Sequence, residues 1–264
     1  MAEGKKDARQ KAAEARATSL AKEKRRERSI RIIGGLVVLI VVVGIIGGAI
    51  LFSGGSSSND TAQPDENAAL PQGISASDFR YVVNSDAAAD VPTVLIYEDF
   101  QCPFCKKLEE TSGVALLAEA RQGKIKLQFQ PGIFMDANLQ NTGSQTSTAS
   151  WGCAIDAGKG VEFHEGVFAE QPAQETVGSP GFTKQQMIAL GQSVGITGDA
   201  TAPFEKCVND GQYNGWAANS NAQFEVSGVS TTPSIYVNGT ALDTTNLDIF
   251  DPTVLIPAIE QAAK

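Results

Sequence analysis

Two cysteines separated by two residues are the part of this sequence best suited to chemistry. Cys102 and Cys105 enclose Pro103 and Phe104. Thiols at this spacing can form a reversible disulfide that exchanges electrons with other thiols. The alternatives are a static disulfide or half of a zinc site. Because zinc usually needs about four ligands, and the sequence has one histidine, His164, and no second Cys-x-x-Cys, we favour redox chemistry.

The residues before this pair predict a buried strand that leads into a helix. Thr93–Tyr97 is a short apolar run, and Pro103 suits the first turn of a helix because the N–H that it lacks would have no partner there. Cys102 would then lie at a helix N-terminus, where unpaired N–H groups and the helix dipole stabilise a thiolate. Cys105 would lie one turn further in, more deeply buried. This placement suits Cys102 as the attacking thiol and Cys105 as the resolving thiol.

The uneven charge of the chain predicts a membrane anchor near its N-terminus. Residues 1–31 carry a net charge of +6 and the remaining residues carry −15, which together give −9. Residues 32–52 are twenty-one uncharged residues, enough for a transmembrane helix. The sequence thus predicts a single-pass protein of the cell membrane. The positive-inside rule places its basic tail, 1–31, in the cytoplasm and everything after residue 52 on the outer side of the membrane. The alternative is a cleaved signal peptide, for which the apolar run is too long and small-x-small cleavage residues do not follow.

Composition divides the exported part into a linker and a folded domain. Residues 53–73 are rich in Ser, Gly, Asn, Asp and Pro and predict a flexible tether. Residues 74–264 are the predicted domain, and their acidic balance gives no reason to propose a nucleic-acid partner. All four cysteines lie on the exported side, where disulfides persist.

The pattern of this domain predicts an α/β fold with an inserted helical subdomain at about 131–230. Strands are predicted at 79–83, 93–97, 125–130, 232–237 and 240–242, with Asn238-Gly239 as a hairpin turn. Helices are predicted at 103–122, with Gly123 as the C-cap, and after Asp251, with Pro252 at the first position. The insertion contains four helical patterns, at 146–157, 161–169, 183–194 (with Thr183 as N-cap) and 202–224.

Several of these features together resemble a known family. A buried strand ends near Cys-Pro-Phe-Cys, Thr-Pro precedes a late strand, and a hairpin and a helix close the chain, as in the thioredoxin fold. The helical insertion, the segment 97–105 (Tyr-Glu-Asp-Phe-Gln-Cys-Pro-Phe-Cys) and the segment 163–168 (Phe-His-Glu-Gly-Val-Phe) are similar to the DsbA-like thiol-disulfide oxidoreductases. Membrane-anchored members occur in Gram-positive bacteria, especially actinobacteria. The resemblance covers about residues 74–264.

The resemblance implies roles for four residues. Cys102 is the nucleophile and Cys105 the resolving thiol of a redox-active disulfide. Pro233 is a cis-proline beside that disulfide, and the backbone of Thr232 pairs with an extended substrate segment. The alternative for Pro233 is an ordinary trans proline that opens a strand. No metal and no cofactor beyond the disulfide itself are expected.

The sequence also departs from the family pattern. Family members often carry a buried acid six residues before the first cysteine, where this chain has Ile96. Glu98 or Asp99 could replace it, although we interpret both as solvated turn residues. Thr231 stands where many members have a glycine, two residues before the cis-proline. Phe104 replaces the histidine of the strongest oxidases, which predicts a less strongly acidified nucleophile.

The other two cysteines and the histidine receive structural interpretations. Cys153 and Cys207 lie fifty-four residues apart in the predicted insertion. Because exported free thiols are unusual, we predict a structural disulfide between them, with a second redox pair as the alternative. His164 lies in a helical pattern and is interpreted as a helix-packing or surface residue rather than a general base.

The resemblance implies a membrane-tethered oxidase that introduces disulfides into exported cysteine-containing proteins. A quinone-linked membrane protein would be its reoxidant, and a monomer is the default state. One alternative is a reductase or isomerase of exported disulfides, which uses the same chemistry in the other direction. Another is a binding or sensor module with a vestigial disulfide, against which the intact Cys102–Cys105 pair argues.

Overall fold

The computed structural model describes residues 65–264. The predicted basic tail (1–31), the predicted transmembrane helix (32–52) and most of the predicted linker lie outside the described residues. Within 65–264, no helix is both long enough and apolar enough to span a bilayer.

A five-stranded sheet with the order β1-β3-β2-β4-β5 forms the centre of the described part of the chain. Its strands are β1 (Tyr81–Val82), β2 (Thr93–Glu98), β3 (Lys126–Pro131), β4 (Ser234–Val237) and β5 (Thr240–Ala241). β2 and β3 pair in parallel, and the other neighbours pair antiparallel. Both faces of β2 are covered: Val94 and Ile96 belong to the main core, while Leu95 and Tyr97 pack against Phe224. A strand buried on both faces is what the continuous apolar run predicted.

The helix that follows β2 is nearly continuous. Helix α1 (Pro103–Leu108) passes through a π-helical turn (Glu109–Gly113) into α2 (Val114–Arg121), so the prediction of one long helical segment is confirmed. Gly123 follows with φ +69°, a left-handed conformation that ends helices at little cost for glycine.

Between β3 and β4 the described chain forms six α-helices, which confirms the helical insertion. They are α3 (Met135–Leu139), α4 (Gly143–Asp156), α5 (Gly160–Glu170), α6 (Lys184–Ser193), α7 (Thr201–Asp210) and α8 (Asn214–Val226). Thr183 caps α6 as predicted, because its hydroxyl accepts a hydrogen bond from the backbone N–H of Gln186 at 3.3 Å. The single helix predicted at 202–224 is wrong: Gly211 adopts φ 63° and ends α7 before α8 begins.

The last helix, α9 (Pro252–Ala262), begins as the sequence predicts. The side chain of Asp251 accepts a hydrogen bond from the backbone N–H of Thr253 at 2.8 Å, and Pro252 occupies the first helical position. Leu255 and Ile259 of this helix are buried in the main core, and α9 packs against α2 and the π-helical turn.

Aromatic side chains join the insertion to the sheet. Trp151 of α4 is fully buried, with its ring centroid 4.9 Å from that of Tyr81 in β1 and 5.5 Å from that of Phe100 after β2. Its indole N–H donates to the carbonyl of Gly160 at 2.7 Å, which satisfies the one polar group of the ring. The insertion therefore shares one core with the sheet.

A disulfide connects two helices of the insertion. Cys153 of α4 and Cys207 of α7 are bonded, with Cα atoms 5.9 Å apart, in the pairing that the sequence analysis expects. Both residues are buried. Cys102 and Cys105 are the free cysteines.

The end of the predicted linker packs on the domain. The sequence predicts a linker over 53–73, but Pro71 is buried and Leu70 packs against the main core. The backbone N–H of Asp65 donates to Asn219 at 2.8 Å, and the amide of Asn219 donates back to the carbonyl of Asp65 at 2.9 Å. Residues 65–73 therefore belong with the folded unit, because a few apolar side chains anchor a segment of mostly polar composition.

Candidate active site

The Cys-x-x-Cys pair lies where β2 passes into α1. Cys102 precedes α1 with extended backbone dihedrals (φ −78°, ψ 119°), and Pro103 is the first helical residue. The backbone N–H of Cys105 donates to the carbonyl of Cys102 at 3.1 Å, so Cys105 lies one turn further in and is 2% exposed. Within residues 65–264, no group of three or more His, Cys, Asp or Glu side chains is placed to hold a metal ion.

The two thiols differ in acidity. The pKa of Cys102 is lowered to about 6, mainly by a hydrogen bond from the Cys105 side chain, which outweighs the opposite effect of burial. The side chain of Thr232 and the backbone N–H groups of α1 lower this pKa further. Burial raises the pKa of Cys105 well above its usual value, and the charges of Cys102 and Glu98 raise it further. At neutral pH, Cys102 is therefore mostly a thiolate and Cys105 a thiol, as an attacking and a resolving thiol require.

We expect the alkylation rate of Cys102 in the reduced protein to rise through about pH 6 and level off above it, because iodoacetamide reacts with the thiolate. An unperturbed thiol continues to gain reactivity up to about pH 8.5. Mass spectrometry of the peptide that contains Cys102, after timed alkylation at each pH, gives the rates. In a Cys105→Ala control the midpoint should move upward, since the largest hydrogen bond to Cys102 is lost. A midpoint near 8.5 in the unmodified protein would contradict the assignment.

The loop before β4 lies beside Cys102. The Thr232–Pro233 peptide bond is cis, and the Cys102 sulfur lies 3.6 Å from the carbonyl oxygen of Thr232. β4 pairs with β2, which brings this loop to the end of β2 at which the Cys-x-x-Cys pair begins. The structure thus brings together Cys102, Cys105, Thr232 and Pro233, the four residues that the resemblance implied.

An exposed aromatic side chain lies next to the nucleophile. Phe104, between the two cysteines, is 60% exposed, and its ring centroid lies 6.5 Å from that of Phe250. The Lys107 ammonium lies 3.9 Å from the centroid of the Phe250 ring. An apolar surface of this kind, beside a reactive thiol, suits contact with the side chains of another polypeptide.

Gln171 supports the active-site turn, a role that the sequence does not predict. Its buried side-chain amide donates to the carbonyl of Phe100 at 2.7 Å and to that of Cys102 at 3.1 Å. Lys106 of α1 donates to the carbonyl of Phe168 at 2.6 Å, near the C-terminal end of α5. The end of α5 therefore holds both the turn and the first helical turn after it. No sequence signal identifies Gln171, because its partners are backbone oxygens far along the chain.

The interpretation of Glu98 and Asp99 as solvated turn residues is wrong, since both side chains are buried. Asp99 accepts hydrogen bonds from the backbone N–H groups of Gln101 and Met135 and from the hydroxyl of Ser144. Burial raises the pKa of Asp99 to about 7, although these hydrogen bonds oppose the change. The reason for the error is tertiary: the insertion covers the end of β2, and a local sequence pattern does not reveal such a cover.

His164 is a helix-packing residue rather than a surface residue, and it also contacts carboxylates. It is buried on α5 among aromatic rings, and its Nε2 lies 2.6 Å from Oε1 of Glu98. Its Nδ1 lies 3.8 Å from Oε1 of Glu109 in the π-helical turn. Burial lowers the pKa of His164, but the charges of Glu98, Glu109 and Glu165 outweigh burial and raise it above its usual value.

The sheet order, the Cys-x-x-Cys pair at a helix start and the cis-proline beside it define a thioredoxin-class protein. Residues 82–251 match the family model described as thioredoxin, and the chain belongs to this family. No curated protein matches the chain.

Solved structures with a similar fold include DsbA- and MdbA-type proteins, so the fold that the resemblance predicts is confirmed. MdbA from Actinomyces oris, a thiol-disulfide oxidoreductase, matches with a TM-score of 0.60 and 19% identity over 74% of this chain and 91% of its own. Oxidised BdbD from Bacillus subtilis matches with a TM-score of 0.56 and 20% identity over 75% of this chain and 99% of its own. Oxidised DsbA from Mycobacterium tuberculosis matches with a TM-score of 0.52 and 21% identity over 70% of this chain and 92% of its own. At these identities the likeness establishes the fold, including the helical insertion.

Proposed function

We propose that this chain is an oxidase that introduces disulfides into exported proteins through Cys102 and Cys105. The observation that carries the proposal is the unequal acidity of the two thiols, with the pKa of Cys102 lowered to about 6 and that of Cys105 raised. A stabilised thiolate favours the reduced form of the pair, so the disulfide form is a stronger oxidant.

The oxidation proceeds in two exchanges that conserve electrons. A substrate thiolate attacks the sulfur of Cys102 in the disulfide form, the Cys102–Cys105 bond breaks, and Cys105 leaves and takes up a proton. A second substrate thiolate attacks the substrate sulfur of the mixed disulfide, and Cys102 leaves as a thiolate. Two electrons pass from the substrate to the cysteine pair, and the substrate leaves with a disulfide.

The surroundings of Cys102 support an extended polypeptide as the substrate. The backbone of Thr232 lies beside the sulfur, where strand-like pairing with a substrate segment would align its cysteine. The exposed ring of Phe104 would contact an apolar side chain of the same segment. This part of the proposal needs no cofactor.

The proposal includes a single membrane anchor at residues 32–52 and an extracytoplasmic catalytic domain. Its support is the uncharged run of twenty-one residues that follows a basic tail. A membrane protein that passes electrons to quinone would reoxidise the pair, and the protein would act as a monomer. The described residues carry none of the anchor.

We expect the reduction potential of the Cys102–Cys105 couple to fall between about −120 and −180 mV, the range of DsbA and protein disulfide isomerase. The purified full-length chain is equilibrated with glutathione buffers, acid-quenched, and analysed for the fraction of the pair that is oxidised. A Cys105→Ala variant is the control, because it cannot form the couple. A value near about −270 mV, that of thioredoxin, would contradict the oxidase and favour a reductase.

A further inference from the structure

Gln171 lies where α5 ends, and its side chain points toward the active-site turn. Pro172 follows it, and the residue before a proline is disfavoured in the helical conformation, so Gln171 adopts φ −58° and ψ 130°. Gln171 is 7% exposed, and its amide donates to the carbonyls of Phe100 and Cys102 at 2.7 and 3.1 Å. The end of α5 therefore contacts the backbone of the attacking cysteine itself.

The two carbonyls that Gln171 contacts depend on it to different degrees. The carbonyl of Cys102 also accepts hydrogen bonds from the backbone N–H groups of Cys105 and Lys106, at 3.1 Å each, as at the start of a regular helix. Phe100 is buried, and within residues 65–264 the Gln171 amide is the one donor to its carbonyl. Loss of the amide would leave that buried carbonyl without a partner, which is unfavourable unless the turn moves.

A second contact runs in the opposite direction, from α1 to the end of α5. The Lys106 ammonium donates to the carbonyls of Phe168 and Ala169 at 2.6 and 3.1 Å, and to that of Gln171 at 3.4 Å. A cation at this place satisfies carbonyls that have no partner within the helix and offsets the negative end of the helix dipole. Lys106 thus fixes the end of α5 against α1, which gives the Gln171 amide a defined position.

The turn that Gln171 holds sets the position of the reacting sulfur. The Cys102 sulfur lies 3.6 Å from the carbonyl oxygen of Thr232, and the backbone N–H groups of Phe104 and Cys105 donate to it. Exchange requires an incoming thiolate to align with the sulfur–sulfur bond, so a small displacement of the sulfur slows the reaction. The same displacement weakens the N–H contacts that stabilise the thiolate.

We propose that Gln171 is a positioning residue for thiol-disulfide exchange, which holds the carbonyls of Phe100 and Cys102 and so keeps the Cys102 sulfur aligned for attack. This inference rests on the proposed exchange at Cys102 and holds for either direction of electron flow. No atom of Gln171 reacts, so the electron balance of the two exchanges is unchanged. Loss of the amide lowers the reactivity of a protein that is still folded, whereas loss of a purely structural contact lowers stability alone.

The test measures two rates on the full-length chain, at a temperature where circular dichroism shows each variant to be folded. The oxidised protein is mixed with dithiothreitol between pH 5 and 9, and acid quenching with mass spectrometry gives the rate at which the Cys102–Cys105 bond opens. The reduced protein is alkylated with iodoacetamide between pH 4 and 9, which gives the midpoint of Cys102 ionisation. Guanidinium denaturation gives the free energy of unfolding separately.

Gln171→Met keeps the length of the side chain but donates no hydrogen bond. We expect its disulfide to open about tenfold more slowly, and the alkylation midpoint of Cys102 to move above about 6. Gln130→Met is the matched control. Gln130 is also a buried glutamine, on β3, and its amide donates to the carbonyl of Ser220 on α8 at 3.2 Å rather than to the active-site turn. The control should lower the free energy of unfolding and leave both rates unchanged.

Gln171→Glu tests the donor itself, because a carboxyl group donates only while it is protonated. At low pH the protonated carboxyl can donate to one of the two carbonyls, so the opening rate should approach that of the unmodified protein at the same pH. As the pH rises, a carboxylate would face two carbonyl oxygens, and the relative rate should fall toward the value for Gln171→Met, which stays constant with pH. Burial raises the pKa of a carboxyl group, so this transition should lie above about 4.3.

The outcomes distinguish this inference from the proposed function. An unmodified protein whose Cys102–Cys105 disulfide does not react with dithiothreitol would overturn both. A folded Gln171→Met variant that opens at the unmodified rate, or an equal loss of rate in Gln130→Met, would overturn the positioning role alone. If Gln171→Met does not fold, Gln171→Glu decides, and a relative rate that does not change with pH overturns the positioning role.

Discussion

A Cys102→Ser variant is expected to lose thiol-disulfide exchange by at least about 10³-fold, because a serine hydroxyl can neither form a mixed disulfide nor ionise near neutral pH. The lowered pKa of Cys102 and its place beside the cis-proline loop make it the attacking sulfur. The measurement is the oxidation of a reduced dithiol peptide by the full-length chain, with glutathione disulfide as the terminal oxidant.

Cys105→Ala is the matched variant, and a different result is expected from it. The attacking thiolate of Cys102 remains, but no Cys105 thiol can release a bound partner. When the reduced variant is offered the disulfide-linked dimer of a single-cysteine peptide, Cys102 attacks that disulfide, one peptide leaves as a thiolate, and the mixed disulfide between Cys102 and the other peptide should accumulate because the bound peptide has no second thiol. Non-reducing gels and mass spectrometry of the cross-linked peptide would detect it. If the unmodified protein oxidises the peptide no faster than Cys102→Ser does, and Cys105→Ala traps no partner, the binding or sensor module is favoured over the enzyme.

Replacement of Cys153 and Cys207 by serine is expected to lower the free energy of unfolding by about 4 kcal/mol. The bridge closes a loop with a sequence separation of 54 between α4 and α7. In the chain-entropy model, the loss of such a loop increases the entropy of the unfolded chain by this amount, while native-state strain reduces the measured effect. The comparison is made by guanidinium denaturation in a background of Cys102→Ala and Cys105→Ala, so that the proteins differ in one disulfide alone.

The same double replacement also separates a structural bridge from a second redox pair. With Cys102 and Cys105 retained, the variant should keep its exchange rate at temperatures where it is folded, since neither Cys153 nor Cys207 adjoins the Cys-x-x-Cys turn. A folded variant that has lost exchange would indicate that the second pair relays electrons. A peptide map with Cys153 bonded to Cys102 would reject the pairing. In the stability measurement, a loss of unfolding free energy below about 1 kcal/mol would contradict the loop-entropy argument.

Local patterns in the sequence were sufficient to predict the reactive pair and its immediate setting. The apolar run at 93–97 became a strand buried on both faces, and Pro103 became the first residue of the helix that begins beside Cys102. The Asn238-Gly239 turn and the capped start of α9 at Asp251 also follow from interactions within a few residues. Turn, cap and strand signals of this kind are readable because their partners are adjacent in the chain.

The interior of the candidate site was decided by tertiary packing alone. Glu98 and His164 are 66 residues apart, and Gln171 reaches the carbonyl of Cys102 across 69 residues. Nothing in either local sequence distinguishes a carboxylate under a helical cover from one in a solvated turn, so the burial of Glu98 and Asp99 could not be predicted. The sequence by itself determined which sulfur atoms can react. The packing of the insertion against the end of β2 decided which acid and which imidazole accompany them, because burial and long-range hydrogen bonds exist only once the helices and the sheet share a core.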